Sequence, residues 1–188
     1  MTPLWHDGPL DALHWDGVSP VVWRVADPGA GERGPLATAL LGHLSAGAVR
    51  LARNPEGKPE VLFPNGWHIS LSGRGGWCLV AAAPYAVAVD REAVDDMAPL
   101  WDMMTVQEAN AVRAAPLAER SRQWLRRWTI KEAHAKLIGT PRRIAPEAID
   151  TRLIDPVRAT AHCGGTSHCW TREDGRGIET LAIWAEAA

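Results

Sequence analysis

The chain has 188 residues, which at about 150 residues per domain implies one domain, or two small halves sharing a core, and excludes a large multidomain assembly. Hydrophobic residues at 46% and charged residues at 22% are those of an ordinary globular chain, neither disordered nor membrane-embedded. Twenty basic against twenty-two acidic residues leave a net charge of −2, so no global basic excess directs the protein to nucleic acid or to an anionic membrane surface.

Ten Trp beside one Tyr and one Phe make tryptophan the main source of buried aromatic area, and seventeen Gly with fourteen Pro predict a turn-rich α/β or α+β chain. Met1 to Leu13 carries Asp7, Asp11 and two prolines where a signal peptide needs a basic start and an apolar run of about 7–15 residues. The expectation is therefore a cytoplasmic protein. No stretch approaches the ~20 apolar residues of a membrane span. Three cysteines, an odd number, suit a reducing compartment better than a disulfide framework.

Val18 to Val25 is apolar and rich in β-branched residues, which predicts a strand closed by a loop from Asp27 to Gly34. Pro35 suits a first helical position, and Leu36, Leu40, Leu41 and Leu44 share one helical face up to a stop at Gly47. Arg53 to Pro59 reads as a loop. Trp67 to Ala83 reads as a hairpin turning through Ser72 to Gly76, and Val87 to Asp90 as a short strand. Helical composition is read from Arg91 onward. Leu117 to Leu137 has mostly good helix formers, Pro116 ahead of it and a stop at Gly139 followed by Pro141. Arg158 to Trp184 reads as strands separated by Gly164-Gly165 and by Asp174 to Gly177. Ala86 falls between two halves, residues 1–85 and 86–188.

Asp90 and Glu92 stand two apart in an extended segment, so their side chains project to the same side. Glu132 and Lys136, four apart in the long helix, share a face with Trp128. As isolated features these are an exposed ion pair and a strand end, but three carboxylates brought together from a strand and a helix would form an oxygen-rich site for Mg²⁺. Gly57-Lys58-Pro59 and Ser70 to Gly76 offer cations, hydroxyls and free amides of the kind that bind phosphate, although the second segment also reads as a plain hairpin turn. His162-Cys163 and His168-Cys169 lack the usual zinc-ligand spacing and read as neighbours in a hairpin. Cys78 reads as core, and no G-x-S-x-G elbow supports a serine hydrolase.

Taken in order, Gly57-Lys58-Pro59, Trp67-His-Ile-Ser-Leu-Ser-Gly73, Ala88-Val-Asp-Arg-Glu92 and Trp128-Thr-Ile-Lys-Glu-Ala133 with Lys136 resemble the 4′-phosphopantetheinyl transferases of the surfactin-synthetase-activating type. The corresponding family patterns are G-K-P, F-N-x-S-H-S, G-x-D-x-E and W-x-x-K-E-A-x-x-K. The resemblance runs from about Asn54 to Gly139, nearly half the chain. It implies an α+β fold of two pseudo-twofold-related halves with a cofactor cleft between them, the halves meeting near Ala86. The implied reaction moves the phosphopantetheine arm of coenzyme A onto a serine of an acyl or peptidyl carrier protein of secondary metabolism, releasing 3′,5′-adenosine bisphosphate.

By the same resemblance, Asp90, Glu92 and Glu132 are the Mg²⁺ ligands, Glu132 is also the base for the incoming serine, and Lys136 holds a phosphate. Lys58 and Ser70 contact the nucleotide and its 3′-phosphate, and a monomer suffices. The chain departs from the family at Leu71 for histidine, His68 for asparagine, Ala88 for glycine and Arg91 for an apolar residue. Its first half is short, and no basic segment precedes its first helix. Leu71 cannot donate to a phosphate, so Arg53 or Arg74 is expected to compensate, or the hold on the 3′-phosphate is weakened. The alternative reading is a family member that keeps the fold, and nucleotide binding with it, but has another activity or a non-catalytic role.

Overall fold

The computed structural model describes residues 2–55, 57–95 and 97–187. The first part of the chain forms strands β1 (Leu4–His6) and β2 (Val21–Ala26), helix α1 (Arg33–Ser45), a ribbon of β3 (Arg50–Arg53) and β4 (Pro59–Phe63), and the hairpin β5 (His68–Arg74) and β6 (Trp77–Ala83). The remainder forms β7 (Val87–Ala93), α2 (Val106–Ala114), α3 (Arg120–Ile138), β8 (Asp150–Leu153), β9 (Arg158–His162), β10 (Thr166–Glu173) and β11 (Gly177–Trp184). Strand order is β1-β2-β6-β5 in one sheet and β7-β11-β10-β9-β8 in the other. Among the described residues only β1 and β2 pair in parallel. This is the α+β architecture expected from the sequence.

Side-chain alternation assembles the layers. From β2 and β6, Val21, Trp23, Cys78, Val80 and Ala82 meet Leu40, Leu41 and Leu44 of α1. The residues between them, Val22, Leu79, Ala81 and Ala83, pack against Val87, Val89, Trp170, Leu181 and Ile183 of the second sheet. Strand β6 is thus covered on both faces, which is why Cys78 to Ala83 is an unbroken apolar run. The second sheet turns its other face, including Ala88, Cys169 and Ala182, to Ile130, Ala133 and Leu137 of α3.

The two sheets also meet edge to edge where β5 runs beside β7, and the link there is made by side chains. Ser70 Oγ accepts the Val89 N–H at 3.1 Å and Ser72 Oγ accepts the Arg91 N–H at 3.2 Å. These hydroxyls satisfy buried backbone donors that a neighbouring strand would ordinarily pair.

A buried hub joins α2, α3 and β8. Lys131 Nζ lies 2.8 Å from Glu108, which also receives the Thr151 N–H at 2.8 Å, the Thr151 hydroxyl and the Thr105 N–H at 2.8 Å. Burial pushes the Glu108 carboxyl up, but these donors outweigh it and hold it below the ordinary glutamate value.

Several boundaries differ from the sequence reading. Strand β7 does not give way to helix at Arg91 but continues to Ala93, paired through Ala93 with Gly177 of β11. Helix α2 begins only at Val106, where Thr105 and Glu108 form a capping box. Ser72 and Gly73 are ladder residues, and the hairpin turns at Gly75 and Gly76, whose φ angles of 60° and 78° favour glycine. Helix α3 starts at Arg120 after a 3₁₀ turn at Leu117–Glu119, and α1 starts at Arg33, ahead of Pro35. The short strands β1, β3, β4 and β8 have too little internal pattern to stand out, and pairing creates them.

Candidate active site

Asp90 and Ala88 share the face of β7 that packs on α3, and Trp128, Glu132 and Lys136 recur every four residues along the facing side of the helix. Lys136 Nζ lies 2.7 Å from Asp90 Oδ1 and donates also to Ser72 Oγ and to the Val89 carbonyl, each at 3.2 Å. Ser72 in turn donates to Asp90 Oδ1 at 3.0 Å. Glu92 accepts from Trp128 Nε1 at 3.3 Å and meets the Arg74 guanidinium at 3.3 Å.

Burial, and next the negative charge of Asp90, raise the carboxyls of both Glu92 and Glu132 above the ordinary glutamate value. Lys136 partly offsets the rise in each, so the strand end and the helix form one electrostatic unit.

The residues fit a divalent cation. Asp90 Oδ2 is buried and has no hydrogen-bond partner, an acceptor left open in a polar place. Glu92 and Glu132, raised by burial and by the negative charge of Asp90, are groups that a positive charge would relieve. Among the described residues no three His, Cys, Asp or Glu side chains stand together as a ready metal cage, and Lys136 holds one oxygen of Asp90 instead. Mg²⁺ does not require such a cage, because it keeps several waters and takes one or two carboxylates with substrate phosphates.

Beside these carboxylates lies a cavity of about 330 Å³ whose walls include Arg33, Arg53, Lys58, Lys136 and Arg142, with no carboxylate among the described residues that line it. Ser70, Leu71 and Gly139 complete much of the rest. Both parts of the chain contribute: Arg33 opens α1, Arg53 ends β3, and Arg142 sits in the 3₁₀ turn just after α3. Five cations facing one space, of which Arg33 is paired with Asp27 and Lys136 with Asp90, suit a polyanion.

The ends of the chain's own groups shape this wall. Lys58 Nζ lies 3.5 Å from the Lys136 carbonyl at the C-terminal end of α3, where a cation is favoured, and burial lowers its pKa. Gly139, in the left-handed region at φ 98°, ends the helix beneath it. Arg33 is held by Asp27, at 2.5 Å and 2.9 Å, and Gly73 carries no Cβ where its guanidinium lies. Arg53 donates to the Gly57 carbonyl at 2.8 Å.

The structure therefore brings Asp90, Glu92, Glu132 and Lys136 into one unit, and Lys58, Ser70 and Arg53 into the cavity wall beside it. It does not bring Arg74 there, because that side chain turns to Glu92. Ser70 spends its acceptor on Val89 and keeps its O–H to donate. Sequence reasoning missed Arg33 and Arg142. Arg33 directly precedes Gly34-Pro35 in the first turn of α1, a signal that was present, whereas nothing local to Arg142 announces that its turn lines the same cavity as β5.

The remaining candidates do not line this cavity. His162 and Cys163 sit at the β9–β10 turn, and His168 and Cys169 lie on β10. Burial pushes the Cys169 thiol up to about 12 and the Cys78 thiol up to about 11, leaving both inert. A groove of about 510 Å³ on the far side of α3 has its arginines engaged, Arg122 with Glu173 and Arg126 with Thr171 and backbone carbonyls. No helix among the described residues is long and apolar enough to cross a membrane.

Compared with known families, residues 86–183, just over half of the chain, match the 4′-phosphopantetheinyl transferase superfamily. No curated protein matches the chain.

Proposed function

This chain belongs to the 4′-phosphopantetheinyl transferase superfamily, and we propose that it is a Mg²⁺-dependent enzyme of the surfactin-synthetase-activating type, transferring the phosphopantetheine arm of coenzyme A to a serine of an acyl or peptidyl carrier protein. The observation that carries the reading is the cavity lined by five cations, set against the Asp90, Glu92 and Glu132 carboxylates. Coenzyme A brings a pyrophosphate and a 3′-phosphate, a charge pattern suited to such a wall. We take residues 1–85 as the nucleotide side and 86–188 as the metal and catalytic side of a monomeric cytoplasmic protein, with no role for nucleic acid or membrane.

In this reading Arg53, Lys58, Ser70, Arg33 and Arg142 bind the nucleotide and its phosphates, and Lys136 holds a phosphate once it leaves Asp90. Asp90, Glu92 and Glu132 hold the metal, which when bound stabilises negative charge on the phosphoryl oxygens. Glu132, its carboxyl raised by burial and by Asp90, accepts the proton of the carrier serine. The serine oxygen forms a bond to the β-phosphorus, the bond to the bridging pyrophosphate oxygen breaks, and 3′,5′-adenosine bisphosphate leaves with that electron pair. Lys136 offsets charge on the phosphoryl group.

Leu71 in place of the family histidine favours a second reading, a superfamily member of changed activity. Intact-mass measurement of apo carrier proteins incubated with the protein, coenzyme A and Mg²⁺ decides between them. A mass gain of one phosphopantetheine arm supports transfer. No gain on several carriers, with coenzyme A binding retained in calorimetry, supports the second.

A further inference from the structure

Arg91, the residue between the two acids of β7, points to the opposite face from them. Its side chain is 0% exposed and pairs with Glu179 of β11, itself 1% exposed. Its Nε donates to the Arg74 carbonyl of β5 at 3.1 Å, and its second terminal nitrogen faces Asp174 at 3.9 Å. Gly177 leaves the space that the guanidinium fills, since a Cβ there would lie 2.6 Å from Arg91. Glu179 also takes Arg172 at 2.6 Å and Arg24 at 3.5 Å, and Asp7 holds Arg24 at 2.9 Å and Arg172 at 2.6 Å. Three arginines and three carboxylates thus form a neutral network between the sheets, with Asp7 and Arg24 from the first and Arg91, Arg172, Asp174 and Glu179 from the second.

The placement bears on the site through the backbone. Strand β7 is the edge of its sheet, and at residue 91 its outer N–H bonds only to Ser72 Oγ, the atom that also donates to Asp90 and accepts from Lys136. The Arg74 whose carbonyl Arg91 holds turns its own side chain to Glu92. One guanidinium therefore fixes the strand between the two acids and the neighbouring strand that carries their partners.

The geometry points to Arg91 as a positioning residue that sets Asp90 and Glu92 for metal binding, through its clamp on Glu179 and the Arg74 carbonyl. The inference rests on the reading of Asp90 and Glu92 as metal ligands. Groups that orient metal ligands from behind typically change affinity by about 10–100-fold when removed. Removing Arg91 also leaves the buried Glu179 to Arg172 and Arg24 alone and the network one positive charge short, so stability and positioning must be separated.

The experiment measures Mn²⁺ affinity by calorimetry and Tm by calorimetric scanning for the wild type, Arg91→Lys, Arg91→Met and Arg91→Met/Glu179→Gln. The expected result is a loss of affinity of about tenfold or more in Arg91→Met and a smaller loss in Arg91→Lys. The double variant, with no charge left unpaired at either position, regains Tm but not affinity. Affinity unchanged in Arg91→Met, against a wild type that binds Mn²⁺, overturns the positioning role alone. Recovery of affinity together with Tm in the double variant overturns it too, assigning Arg91 to stability. A wild type that binds no Mn²⁺ overturns the metal-ligand reading and the inference with it.

Discussion

Lys136 Nζ lies 2.7 Å from Asp90 Oδ1, so the helix cation and the strand carboxylate are already paired across the α3–β7 contact, with Ser72 bridging them. A metal ion at Asp90 and a phosphate at Lys136 must each share or break that pair. Pairing in the free protein keeps both charges satisfied until their proposed ligands arrive.

Replacing Lys136 by methionine separates the two roles. Lys136→Met should tighten Mg²⁺ binding in the absence of coenzyme A, since a positive charge beside Asp90 is gone. Transfer should fall by about 100-fold, the scale of losing one charge-stabilising donor. Calorimetry with Mg²⁺ and a carrier-modification assay would read the opposite signs, and a parallel loss of both would contradict the competition.

Glu132→Gln keeps the size of the side chain and removes both a charge and a proton acceptor. Transfer should fall by about 10²–10⁴-fold, the usual contribution of a general base, while Tm stays near that of the wild type. The check is turnover on an apo carrier alongside a thermal melt. Near-normal turnover would remove Glu132 from the chemistry.

Arg53 at the end of β3 and Arg142 in the turn after α3 line the same cavity. Arg142→Ala and Arg53→Ala should each raise KM for coenzyme A by about tenfold, in line with one lost hydrogen bond to a charged group. If these side chains hold the 3′-phosphate in place of the histidine replaced by Leu71, KM for dephospho-coenzyme A should change much less. Equal effects on both substrates would assign the arginines to the pyrophosphate.

Acid stability should reflect Glu108. Its carboxyl is held below its ordinary value in the folded chain, so it contributes stability above the unfolded glutamate pKa of about 4.3, and that contribution is lost as pH falls through the lower folded value. Tm followed from pH 7 downward should fall in the wild type, whereas Glu108→Gln should be less stable from the start, by about 3–5 kcal/mol of unfolding free energy for a broken buried pair, and its Tm should depend less on pH.

Composition left α/β or α+β open and the motif resemblance chose α+β; the sequence alone carried the long helix and its glycine stop, the hairpin at Trp67 to Ala83, and the candidates Asp90, Glu92, Glu132 and Lys136. All of these rest on local signals: periodicity, turn residues and fixed spacing within one strand or one helix. The order of the motifs also suggested the superfamily that the match over residues 86–183 bears out. Only the tertiary structure showed that Arg74 belongs to Glu92, that Arg33 and Arg142 share a cavity, that serine side chains join β5 to β7, and that Arg91 is a buried clamp. Each of these depends on which charge lies opposite which across strands and helices far apart in the chain. Pairings at such separations are set by packing and by the need to compensate buried charge, and no local spacing records them.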